Sequence, residues 1–343
     1  MTDDPASILT PHLPISAMDE HYDINAAKTS LEQMSKERMP NHLQLCKFDM
    51  EEGLHRFVQP TYTEYPRCWK LTYLDNNGGI EEVVLQVQGI ITGSTMPPIK
   101  WPFKIEPCQR AYFCQSAALT GFGSESFADA IRCIEEIHNI FARHFPEESL
   151  ELWNASSSAG YLTIDMANRY FTPRSQASPD QIISSFAIDP DGILAACTTD
   201  GTLVHTKDNS VEYYEHYQEG EKQQYEAIDP IKFRIGDIAE AQVSFIVIHL
   251  KEQKYKMLIV MQALTLLDSS PLRVHTNRRS TVNMRDVARA TRKRNPLCRP
   301  PLMTGPAPIR VAVSIDTRTT PPTQRHVREH AARRQLTNTP GVG

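Results

Sequence analysis

The chain has 343 residues, 40% hydrophobic and 22% charged, enough for a packed core but not one that reaches every residue. Its net charge of -5 conceals a division: residues 271–343 hold 15 Lys and Arg against Asp286, Asp316 and Glu329, a net of +12, which leaves -17 on the preceding 270. No run of 18 apolar residues occurs, which excludes a membrane-spanning helix, and the acidic start with Asp3 and Asp4 argues against a secretory signal.

Residues 1–41 read as a flexible leader, with Leu31 and Met34 at the spacing of a short amphipathic helix over 28–38. Residues 42–172 read as an α+β domain. Cys68 to Leu74 alternates, 75–79 supplies Asn and Gly for a turn, and 80–91 is apolar again, which predicts a β-hairpin over 67–91. Short strands are expected at 101–105 and 110–114. The main helix is predicted over 126–145, with Ser126 and Asp129 as a capping pair. Phe127, Ala130, Ile131, Ile134, Ile137, His138, Phe141 and Phe145 share one face, which should pack on the hairpin. A second hairpin is expected from 151–153 and 161–166.

Residues 173–180 carry Pro173, Ser175, Ser178 and Pro179 and read as a linker. Residues 181–268 read as an all-β, mostly antiparallel domain, a small barrel or sandwich. Strands are predicted at 182–188, 193–197 and 203–206, with an edge strand around Tyr213. The runs 238–250 and 256–267 are apolar on both faces and joined by a charged turn. They should pair antiparallel and bury Phe245 or Val247. Residues 269–343 read as a disordered basic tail rich in Arg and Pro. The class is therefore α+β, an α+β domain followed by a β domain, with disordered termini.

The motifs of nucleotide, hydrolase and zinc sites are missing: no G-x-x-x-x-G-K-[ST], no G-x-S-x-G, no H-E-x-x-H. No catalytic, cofactor-binding or metal residue is therefore assigned, and no cofactor is expected. The seven cysteines form no C-x-x-C pair and read as reduced, buried residues of an intracellular protein. Gly121-Phe122-Gly123 before the helix reads as a loop entry. Cys133 and His138 stand five apart and point away from each other on a helix. Asp189 and Asp191 lie in a Pro-Gly turn and serve it. Tyr213, Tyr214, Tyr217, Phe233 and Tyr255 interleave with lysines in a pattern that suits base stacking, although acidic neighbours oppose a phosphate groove. The basic candidates for nucleic-acid contact are Arg278, Arg279, Arg292, Lys293 and Arg294 in the tail.

The run Arg234-Ile235-Gly236-Asp237-Ile238-Ala239-Glu240-Ala241-Gln242-Val243-Ser244-Phe245, with Lys254 to Leu258 and Leu266-Leu267-Asp268, resembles a run in uncharacterised proteins of mushroom-forming fungi. The resemblance implies lineage and no mechanism. The expected function is that of a non-enzymatic interaction protein, intracellular, in nucleus or cytoplasm, with a protein partner and no membrane. One alternative is nucleic-acid binding through the β domain and tail; another is an enzyme whose site is dispersed along the chain.

Overall fold

A computed structural model describes residues 22–269 apart from 42, 50–53, 75–77, 100–104, 107–108, 183–187 and 220–221. β1 (Val58–Glu64) and β2 (Arg67–Leu74) pair antiparallel along their whole length. β3 (Ile80–Glu82) folds back on β2, so the predicted hairpin forms but is short. Val83 donates its N–H to Leu71 O, and the chain then leaves as β4 (Val84–Thr95). β4 is buried on both faces for most of its length, which suits a central strand better than a hairpin arm.

β5 (Cys114–Thr120) starts where the second short strand was expected to end, because Arg110–Tyr112 is a 3-10 turn. β6 (Ser156–Ser158) and β7 (Tyr161–Arg169) make the second hairpin, with its first arm later than expected. Ala159 and Gly160 both take positive φ, the geometry of a two-residue turn matched to strand twist. β8 (Thr172–Pro173) and β9 (Leu203–Val204) form a separate small pair. β10 (Glu212–Glu219), β11 (Lys222–Ala227), β12 (Ile238–His249) and β13 (Tyr255–Asp268) complete the strands.

Eleven strands make one mostly antiparallel sheet in the order β1-β2-β12-β4-β5-β7-β13-β10-β11, with β3 on β2 and β6 on β7. β12 also pairs with β13 antiparallel, as predicted, and Phe245 and Val247 are both fully buried. The pairings therefore run in a circuit through β12, β4, β5, β7 and β13. The expected division at 173–180 is overturned. β12, assigned to a second domain, meets β4 from Ile238 to Ser244 and β2 at Ile246 and Val247. The described residues accordingly belong to one compact unit. A long apolar strand must satisfy backbone groups on both edges, and sequence distance does not say which strands supply the partners.

Three helices flank the sheet. α1 (Ile24–Arg38) contains the short helix expected over 28–38 and starts earlier than it; Asp23 caps it by accepting the Ala26 N–H at 3.0 Å, and Ala27 and Leu31 are buried. α2 (Glu125–Ala142) is the predicted main helix. Its capping pair does not form: Ser126 meets Ser124 and Asp129 meets Arg132. Its predicted apolar face is buried from Phe127 to Phe141, against β4, β1 and a 3-10 turn at Leu45–Lys47. α3 (Ile193–Cys197) occupies a predicted strand. Asp189 accepts the Ala195 N–H at 2.8 Å, and a run of five residues is too short for periodicity to separate helix from strand.

Close packing under α2 explains the Gly-Phe-Gly fragment. A Cβ at Gly121 would collide with the Phe127 side chain, and one at Gly89 would stand 2.9 Å from Leu119 Cβ. Both glycines let the helix approach the sheet. Along β12, Ala239, Ala241, Val243, Phe245 and Val247 join the α2 core, while Glu240 and Ser244 are buried on the alternate face. The segments 101–104, 183–187 and the tail from 270 lie outside the described residues.

Candidate interaction surface

Six rings from five segments of the chain meet at the C-terminal end of α2. Tyr62 and Trp69 are cross-strand partners on β1 and β2, with ring centroids 4.9 Å apart. Val247 of β12 lies opposite Trp69 on the other side. Trp69 meets Phe145 edge-on at 5.0 Å and Tyr255 at 5.4 Å. Tyr255 lies 4.4 Å from Phe145 and 5.2 Å from its cross-strand partner His249. His144 adds an edge contact to Phe145 at 5.4 Å.

Local sequence explains each placement. Alternation on β2 puts Trp69 on the face opposite Lys70, and Pro146 ends the α2 segment so that Phe145 turns onto the sheet. Trp69, Phe145 and Tyr255 pack on the main core but are half-buried; Tyr62 is 52% exposed, and His144 and His249 are exposed. Pairs of this geometry add about 0.5–1.5 kcal/mol beyond area burial. The polar rim is charge-balanced. Lys256 pairs with Glu151 at 3.7 Å, and Lys254 donates to Glu148 O at 2.9 Å.

The alternate face of the sheet is polar and closed. Arg38 Nε stands 3.0 Å from Glu240 Oε2, and Gln88 Nε2 donates to the same oxygen at 2.7 Å. Gln88 also donates to Gln44, Gln44 to Gln86, and Asn41 to Gln86. Burial pushes the Glu240 carboxyl above its ordinary range, while Arg38 and Gln88 oppose the rise. Tyr225 and His216 stand beside Arg38. The network ties α1 to β4 and β12. Elsewhere on β2, burial would lower Lys70, but Glu82 at 2.8 Å and Asp208 at 3.7 Å outweigh it and hold the ammonium above its usual value.

The structure scatters the aromatic residues suggested for base stacking. Tyr213 and Phe233 are buried and pack together, and the Tyr213 hydroxyl donates to Gln115 Oε1 at 2.8 Å. Tyr214 donates to Glu212, and Tyr217, 40% exposed, donates to Gln224. Lys232 pairs with Glu215. Only Tyr255 of the five joins the ring cluster. Arg278, Arg279, Arg292, Lys293 and Arg294 lie outside the described residues.

Cys133 donates to Asp49 Oδ1 at 3.2 Å, and burial pushes its thiol up to about 12; His138 Nε2 donates to Glu151 O at 2.9 Å. The described cysteines Cys46, Cys68, Cys114, Cys133 and Cys197 are buried and free. Among the described residues, no group of three or more His, Cys, Asp or Glu is placed to hold a metal ion, and no helix is long and apolar enough to cross a membrane. Sequence reasoning misses the ring cluster because Tyr62, Trp69, Phe145 and Tyr255 come from separate segments with no shared motif. No protein-family model matches the chain, and no curated protein matches it.

Proposed function

We propose that the chain is a non-enzymatic intracellular protein that binds a protein partner through the ring cluster of β1, β2, β13 and the end of α2. The observation that carries this reading is the unbroken set of ring contacts from Tyr62 through Trp69 and Tyr255 to His249, half-open to solvent on ordered elements. Trp and Tyr dominate the energetics of protein interfaces, and a rigid support limits the ordering cost of binding. The strand circuit, read as a small barrel, supplies that support. The balanced rim of Lys256 with Glu151 favours a protein over a phosphate backbone. The alternative, nucleic-acid binding through Arg278, Arg279, Arg292, Lys293 and Arg294, rests on the net +12 of residues 271–343.

The test is amine-directed cross-linking in extract with the full chain and with Tyr62→Arg/His249→Glu, two exposed positions whose change leaves the core intact. The expected result is a protein cross-linked through Lys254 or Lys256, with capture reduced ~30-fold in the variant, as for loss of a hot spot. Unchanged capture, or cross-links confined to Lys293, overturns the reading.

A further inference from the structure

β1 ends the strand order, so one of its edges meets no other strand among the described residues. Two observations show which backbone groups stand on that edge. Leu71 O accepts the Val83 N–H at 2.9 Å, so the Leu71 carbonyl points away from β1. Pro60, the cross-strand partner of Leu71, has no N–H to give. Pro60 and Leu71 are therefore a pair without mutual hydrogen bonds. By alternation Gln59, Thr61 and Thr63 bond to β2, and Val58, Pro60, Tyr62 and Glu64 turn their backbone groups outward. Among the described residues, nothing bonds to the outward groups from Pro60 O to Glu64 O.

The side chains of the same run are open as well. Phe57, Tyr62 and Tyr65 are 57%, 52% and 48% exposed, and Tyr62 belongs to the ring cluster. Val58, Pro60 and Tyr62 share the face of the α2 core. The other face is polar: Thr61 meets Thr72, and Thr63 donates to Pro66 O. A row of unpaired N–H and C=O groups is a template for another strand, and its complement is an extended backbone. Pro60 disfavours a second copy of this chain in that place. Two copies of β1 paired antiparallel about Thr61 would set Pro60 opposite Tyr62 in both halves and lose a bond in each, whereas a foreign strand loses it once.

We propose that the protein partner presents an extended segment that pairs as a strand with the outer edge of β1 from Pro60 to Glu64. An aromatic or branched apolar side chain of that segment lies opposite Tyr62, and polar side chains lie beside Thr61 and Thr63. The inference rests on the ring-cluster reading above and names the form in which the partner arrives. Main-chain bonds supply affinity, and the cross-strand contact with Tyr62 supplies choice.

The probe is a phage-displayed library of random peptides, each about 9 residues and so long enough for one strand, selected on the full chain. Selected peptides are then titrated against full-length wild type and variants. They should alternate apolar and polar residues and slow exchange of the Tyr62 and Glu64 amides ~10-fold or more. N-methylation of every second peptide amide should abolish binding and methylation of the intervening ones should not, because only one edge of an added strand faces β1. Glu64→Pro removes an outward donor and should weaken binding ~10-fold, while Pro60→Thr supplies the missing donor and should tighten it ~5-fold, a gain that misfolding does not produce. Peptides that lose binding in Tyr62→Arg/His249→Glu but ignore both proline changes and the methylation pattern overturn the added strand and leave the ring-cluster reading standing. Peptides indifferent to every variant, or no selected peptide at all, also overturn the added strand, and the ring-cluster reading then stands or falls on its own cross-linking test.

Discussion

Arg38 and Arg169 stand in different surroundings. Arg38 leaves α1, meets Glu240 at 3.0 Å, and extends a network through Gln88, Gln44 and Gln86. Arg169 ends β7 among thiols and a tyrosine, and burial lowers its pKa with no carboxylate to oppose the fall. A charge paired with a buried carboxylate positions parts of the protein, here α1 on the sheet.

The comparison breaks most directly at Glu240. Glu240→Ala leaves Arg38 buried without its carboxylate and should cost about 3–5 kcal/mol in urea unfolding, the usual penalty for breaking a buried pair. Replacing both partners, Arg38→Met with Glu240→Leu, should recover most of that loss. A cost below ~1 kcal/mol for Glu240→Ala would mean that Arg38 is solvated like a surface cation, and the contrast with Arg169 would lapse.

The apolar face supplies a reference for this cost. Ile134 of α2 is 0% exposed, and Ile134→Ala should cost about 2–5 kcal/mol through lost burial and the cavity left behind. An unchanged melting curve would remove α2 from the core.

The smallest effect belongs to His216. Burial first, and Arg38 second, lower its pKa from 6.5, and its buried Nε2 has no partner among the described residues. For a base with a depressed folded pKa, the folded state resists protonation. The stability is therefore present above pH 6.5 and is lost as pH falls through that value toward the folded pKa. His216→Phe should flatten the decline of stability measured below pH 6.5. A slope equal to wild type would show that folding does not lower the His216 pKa.

The pairing of β12 with β13 was legible because two apolar runs flank a charged turn of fixed length, and the α2 face because seven apolar residues and His138 keep one helical phase. Partners across long separations were not. Nothing local to Ile238–His249 names β2 or β4, and nothing in 193–197 distinguishes a strand from the short helix whose Ala195 N–H Asp189 accepts. The ring cluster was out of reach for the same reason: Trp69 and Tyr255 are 186 residues apart and meet only because β12 lies between their strands.

The sequence by itself determined the class of the protein, its acidic body and basic C-terminal region, the main helix with its buried face, and the long antiparallel pair. These follow from periodicity, turn chemistry and charge, which act over a few residues. Only the tertiary structure decided that one sheet unites both halves, that α1 packs on it through Arg38, and that Arg169 has no carboxylate partner among the described residues. Each depends on which strand edges find one another, a choice made by backbone hydrogen bonding and burial across the whole chain.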